Sequence, residues 1–130
     1  MVATRFPWAF YAVGLTVLFV DQLSKYAVRA SGIGYVQNTG AAFGILQGQQ
    51  LLLILISLVV LGFLFYYSHE HPVALGFLLG GTLGNLIDRI VFGFVTDFIH
   101  LPFWPSFNVA DTFNVVGVGL LLLDAFARRK

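Results

Sequence analysis

The chain has 130 residues, 58% of them hydrophobic and 10% charged, with a formal net charge of +1 and no cysteine. Soluble domains carry about 25% charged residues, so this composition belongs in a bilayer, and the length allows one domain of a few spans with no separate soluble domain. The missing cysteine excludes disulfides, a thiol nucleophile and iron–sulfur ligation; the small net charge leaves no nucleic-acid footprint.

Apolar runs long enough to cross about 30 Å of hydrocarbon, about 20 residues each, fall near residues 6–27, 50–68, 72–92 and 107–126. They predict an all-α membrane protein, a four-helix transmembrane bundle in which residues 1–130 form a single domain. Arg5 ahead of the apolar stretch from Phe6 to Val20 looks at first like a targeting peptide. The following "DQLSKYAVR" is charged and has no small-x-small cleavage site, so a permanent span is expected. The third run has Gly76, Gly80 and Gly84 at a spacing of four, which lets another helix approach closely.

An even number of spans puts both termini on one side, and Arg5 with Arg128, Arg129 and Lys130 makes that side cytoplasmic. Lys25 and Arg29 count against this orientation. Because "SHEHP" joins the second and third spans by a short turn, the connections near 28–49 and 93–106 must lie outside. That topology gathers the polar residues at one depth: Asp21 and Lys25 on the first span, Asn85, Asp88 and Arg89 on the third, and Asn108, Asp111 and Asn114 on the fourth. An ionisable residue at the centre of a membrane helix costs about 2.5–3.5 kcal/mol on insertion scales, so several at one depth point to a functional constellation lining a wet cavity. The connection between the third and fourth spans, "VTDFIHLPFWPSF", is too apolar for a solvated loop, and Pro102 and Pro105 prevent a long helix. A re-entrant course into the membrane interface is expected, carrying Asp97 toward Asp111.

Two carboxylates held close cannot both ionise easily, so one keeps a proton while the other stays charged. Such a pair activates a water between them, one aspartate taking its proton and the other donating to a scissile carbonyl. Asn85, Arg89 and Asn108 suit the orientation of the carboxylates or the holding of substrate carbonyls. Asp21 and Lys25, four apart, read either as a structural ion pair or as part of the site. Other chemistries fit less well. Ser24 and Lys25 point to different sides of a helix, a G-x-S-x-G elbow is absent, and "HEH" at 69–71 is not the H-E-x-x-H zinc spacing. His100 has no second histidine on the outer face, so neither metal nor cofactor is expected. Asp124, four before Arg128, is a surface pair. A proton or ion conduit would need polar groups through the whole membrane depth, which the second and fourth spans lack. A purely structural subunit leaves Asp97 and Asp111 unexplained.

The segments "DQLSK" at 21–25, "NTGAAFG" at 38–44, "GGTLGNLIDR" at 80–89, "VTDFIH" at 95–100 and "FNVADT" at 107–112 resemble, in order and along nearly the whole chain, the lipoprotein signal peptidase (signal peptidase II) family. The resemblance implies a four-span aspartic endopeptidase of the bacterial inner membrane, working near the outer face. It would cut diacylglyceryl-modified prolipoproteins just before the lipid-bearing cysteine, as a monomer among membrane lipids. By the family's motifs the catalytic pair falls on Asp97 and Asp111. Asp21, Lys25, Asn38, Gly40, Asn85, Asp88, Arg89, Asn108 and Ala110 match residues that shape the site or hold substrate. The family's outer segment resembles a small β-cradle; here only 12 residues separate Lys25 from Asn38, and "ILQGQQ" is a brief lid. A tight pocket lined by Gly40, Ala41 and Ala110 is expected to take the small residues before the cut.

Overall fold

A computed structural model describes residues 5–41 and 44–129. Lys130, one of the cations used for sidedness, and Ala42 and Phe43 of the 38–44 motif lie outside the described residues. Four helices form where the apolar runs are: α1 (Trp8–Ser31), α2 (Gln50–Tyr66), α3 (Pro72–Phe92) and α4 (Val109–Ala127). Two short strands, β1 (Val36–Asn38) and β2 (Val95–Asp97), lie in the connections expected to be outside.

Local chemistry sets the ends. Pro72 opens α3 at the first helical position, where its missing N–H has no partner to lose, and Gly93 closes it in the left-handed region at φ 76°, its N–H bonded to the Arg89 carbonyl. Gly32 ends α1 in the same way at φ 75°. By length and composition α3 and α4 are each able to cross a membrane; α2 is a shorter apolar helix of 17 residues. The second half of α1 is interrupted by Asp21, Lys25 and Arg29.

Helix α3 is the centre, packed against α1, α2 and α4. The apolar core gathers Phe10 from α1, Leu61 and Leu64 from α2, and Leu75, Leu79 and Leu86 from α3. The glycines of α3 set the closeness of α1: a Cβ on Gly80 would stand 2.7 Å from the Gly14 carbonyl oxygen and overlap Val17, and one on Gly84 would overlap the Asp21 carboxylate. The spacing of four therefore does what the sequence predicts, and it does so around a buried charge. The outward faces of α2 and α4 stay apolar, with Leu51, Leu55, Val59 and Phe63 on one and Val115, Leu122 and Leu123 on the other all exposed. So much exposed hydrocarbon fits lipid, not water.

The strands pair antiparallel, Val36 opposite Asp97 and Asn38 opposite Val95, making a small two-stranded sheet. Beyond β2 the chain turns back as a tight loop, the Phe107 carbonyl accepting from the N–H groups of Phe98 and Ile99 at 3.0 and 2.9 Å. At its tip Phe103 is fully exposed and has φ 60°.

Candidate active site

The C-terminal halves of α1 and α3 meet at a fully buried ammonium. Lys25 Nζ lies 2.8 Å from Asp21 Oδ2 and 3.1 Å from Asp88 Oδ2, with all three side chains inaccessible to solvent. Buried charges persist only when paired and hydrogen-bonded, and here the remaining oxygens are used. Asp21 Oδ1 accepts from the backbone N–H of Ala110 at 2.8 Å, Asp88 Oδ2 from that of Thr96 at 3.1 Å, and Gln22 Nε2 donates to both carboxylates. The Asp21–Lys25 pair expected from the spacing of four is present and is joined by Asp88. It also reaches further, because it ties the first turn of α4 and strand β2 to α1 and α3.

Lys25 then reaches toward the other aspartates, donating to Asn85 Oδ1 at 3.1 Å. An ammonium has only donors, so the oxygen of the Asn85 amide faces it and the NH₂ faces away. That NH₂ donates to Asp111 Oδ1 at 2.9 Å. Asn108, the N-cap of α4, is fixed in the same sense: its Oδ1 accepts from the Asp111 N–H at 2.9 Å, leaving its NH₂ to donate to Asn85 Oδ1 at 3.0 Å and Asp97 Oδ1 at 2.9 Å. The Asn108 N–H in turn donates to Asp111 Oδ2 at 3.1 Å, which completes a capping box. On the other side Asn38 Nδ2 donates to Asp97 Oδ2 at 3.1 Å, its own oxygen held by the Gly40 N–H. Each of the two aspartates thus receives two N–H groups, and Asn108 touches both.

Asp97 and Asp111 face a cavity of about 560 Å³ with Asn38, Ala41, Asn85, Arg89, Trp104, Phe107, Thr112 and Asn114 in its wall. Burial pushes the Asp97 carboxyl up to about 6, the negative charge of Asp111 adds to this, and the hydrogen bonds from Asn38 and Asn108 with the charge of Lys25 oppose it. Arg89 donates from Nη2 to the Gly40 carbonyl at 3.2 Å, and its Nε is buried without a partner among the described residues. No cluster of three or more metal-ligating side chains occurs among the described residues.

Asp97, Asp111, Asn38, Asn85, Asn108 and Arg89 therefore converge, whereas Asp21, Lys25 and Asp88 form the ion cluster behind them. The small pocket expected around Gly40, Ala41 and Ala110 forms differently. Ala110 is 0% exposed, near Gly84 where α3 crosses α4, and Gly40 stands behind the wall with its carbonyl on Arg89. The first turn of α4 must lie close to α1, beside Gly84 of α3, for Asp21 to accept the Ala110 N–H, and this takes the Ala110 methyl out of the cavity. Sequence reading missed Gln22 and Thr96, which complete the ion cluster. Gln22 carries a signal, being an amide inside an apolar span; Thr96 acts in part through its backbone N–H and carries none.

The family profile for signal peptidase (SPase) II matches residues 13–127. A lipoprotein signal peptidase of Halothermothrix orenii is 39% identical, over 92% of this chain and 97% of its own length. One from Caldanaerobacter subterraneus is 43% identical, over 81% of this chain and 87% of its own. A bacterial membrane enzyme solved by the in meso method superposes with a TM-score of 0.91 at 28% identity, over 100% of this chain and 94% of that one. Matched by the family profile over residues 13–127 and by relatives 39% and 43% identical, the chain belongs to the signal peptidase II family.

Proposed function

We propose that this protein is a membrane aspartic endopeptidase that removes signal peptides from diacylglyceryl-modified prolipoproteins, cleaving before the lipidated cysteine. The observation that carries the reading is Asn108, which donates to Asp97 from its side chain and to Asp111 from its backbone, so that two carboxylates face one cavity with a single residue between them. One carboxylate, ionised, takes a proton from water as the water oxygen attacks the scissile carbonyl carbon. The other, protonated, gives its proton to the carbonyl oxygen. In the resulting gem-diol the C–N bond breaks, the amine leaves with a proton from the first aspartate, and a diol proton returns to the second. Arg89, in the cavity wall, sets its cation beside the site as charge grows on the carbonyl oxygen.

All four helices span the bilayer in this reading, with both termini cytoplasmic and the sheet, the exposed tip at Phe103 and the aspartates at the outer face of a bacterial inner membrane. Arg5, Arg128 and Arg129 at the inner end support that orientation. The loop of Leu101, Pro102, Phe103 and Trp104 rests in the outer interface, where its exposed apolar side chains meet lipid. The protein acts as a monomer. The acyl chains of the substrate stay in lipid and supply about 0.8 kcal/mol for each CH₂ kept buried, while the released signal segment runs inward. The test is cleavage of lipidated and unlipidated forms of one prolipoprotein by the purified protein in detergent. Strong preference for the lipidated form is expected, and equal rates would sink the reading.

Asp97 also predicts a pH dependence of stability. Its carboxyl is raised from 3.8 to about 6 in the folded protein, so the folded state holds the proton more tightly than the unfolded chain. The contribution is full below the unfolded value and is lost as pH rises through about 6. Thermal unfolding scanned from about pH 4 to pH 8 is expected to show this fall in the wild type and to lose that component in Asp97→Asn. Asp111→Asn, which removes the neighbouring charge, should move the midpoint down. A midpoint unmoved in Asp111→Asn would mean that the carboxylates do not sense one another.

A further inference from the structure

One polar side chain in the cavity has no task in this scheme. Asn114 lies three residues after Asp111 on α4, about 4.5 Å further along the helix and away from the outer face. It lines the cavity beside Val115 and Val116. Its Oδ1 is buried without a hydrogen-bond partner among the described residues and is seated against Gly81, where an added Cβ would overlap it. The oxygen end is enclosed, so the end left to the cavity is the NH₂. That NH₂ has no hydrogen-bond partner among the described residues, so its two donors are left for an acceptor brought by a ligand.

We infer that Asn114 is a substrate-binding residue, whose NH₂ donates to a free main-chain carbonyl at the C-terminal end of the signal segment's membrane helix. The inference rests on the reading above, and its chemistry follows from the depth of the residue. The segment that runs inward from the cut is the one N-terminal to it, and within the bilayer it is helical until it unwinds to present an extended peptide to the aspartates. The last four carbonyls of such a helix have no partner of their own, and lipid supplies no donor. Asn114, one turn below Asp111, is placed to meet one of them. The contact fixes how far the helix can descend before the scissile bond aligns with Asp97 and Asp111.

The test compares kcat/KM of wild type, Asn114→Leu and Asn114→Gln on a lipidated prolipoprotein. Leucine has nearly the same shape without the donor, and a drop of about tenfold, mostly in KM, is expected from losing one net hydrogen bond. Glutamine keeps the NH₂ and should recover a substantial part of the loss. Should Asn114→Leu fail to fold, as judged by its melting transition, Asn114→Ala decides in its place. Unchanged kcat/KM in a folded leucine or alanine variant overturns the inference, as does a glutamine variant as weak as the leucine one. Asp97→Asn in the same assay separates this from the base reading: it must be inactive if the peptidase assignment holds, whatever Asn114 does.

Discussion

Asp97→Asn and Asp111→Asn are each expected to abolish cleavage of a lipidated prolipoprotein while leaving a folded, membrane-inserted protein. Each substitution removes one half of an acid–base pair but keeps the shape of the side chain. Asparagine can still present its oxygen to the NH₂ of Asn108 or Asn85, but its own NH₂ then faces the second donor, Asn38 Nδ2 or the Asn108 N–H, so a loss of about one hydrogen bond and not a collapse is expected. The double variant should be no worse than either single one, because groups acting as a unit do not contribute additively. Turnover above background in either single variant, measured with enough enzyme to detect a loss of about 10⁴-fold, would remove the dyad from the mechanism.

Lys25→Met should be the most damaging substitution for stability. The ammonium is 0% exposed and is paired with both Asp21 and Asp88, each also 0% exposed. Removing one member of a buried ion cluster leaves charge uncompensated and costs about 3–5 kcal/mol, whereas removing the whole cluster costs far less. The variant carrying Lys25→Met with Asp21→Asn and Asp88→Asn should therefore melt well above Lys25→Met alone. Activity should fall in both, since without the ammonium only the Asn108 NH₂ still holds the Asn85 oxygen away from Asp111. Thermal unfolding in detergent reads the first effect and single-turnover cleavage the second. Near-wild-type melting of Lys25→Met would show that the cluster is not stabilised in this way.

Much of this was legible in order along the chain. The apolar runs place all four helices, with ends shifted by at most a few residues, because long apolar segments bounded by Gly32, Pro72 and Gly93 leave little freedom in where a helix starts and stops. That Asp97 and Asp111 come to one cavity was expected from the re-entrant course of the connection between them. The size of the sheet was not: strand pairing across 57 residues of chain depends on where β1 and β2 meet, and neither strand has more than three residues to signal it.

What the sequence determined by itself was the kind of protein and the kind of site, since hydrophobic length, charge placement and residue spacing act locally along each helix. What only the tertiary structure decided was which polar residue touches which. Asp88 and Arg89 are neighbours in sequence, yet one faces Lys25 in the ion cluster and the other faces the cavity, because successive residues on a helix point about 100° apart. Ala110 lies beside Asp111 in sequence and yet is enclosed near Gly84, its N–H held by Asp21 from a helix 89 positions away. The direction of the Asn85 amide, and with it the N–H that reaches Asp111, is set by an ammonium 60 residues distant. Such choices depend on the packing of α1, α3 and α4 against one another in a medium that leaves no buried donor without cost, and that packing has no local signature in any one of them.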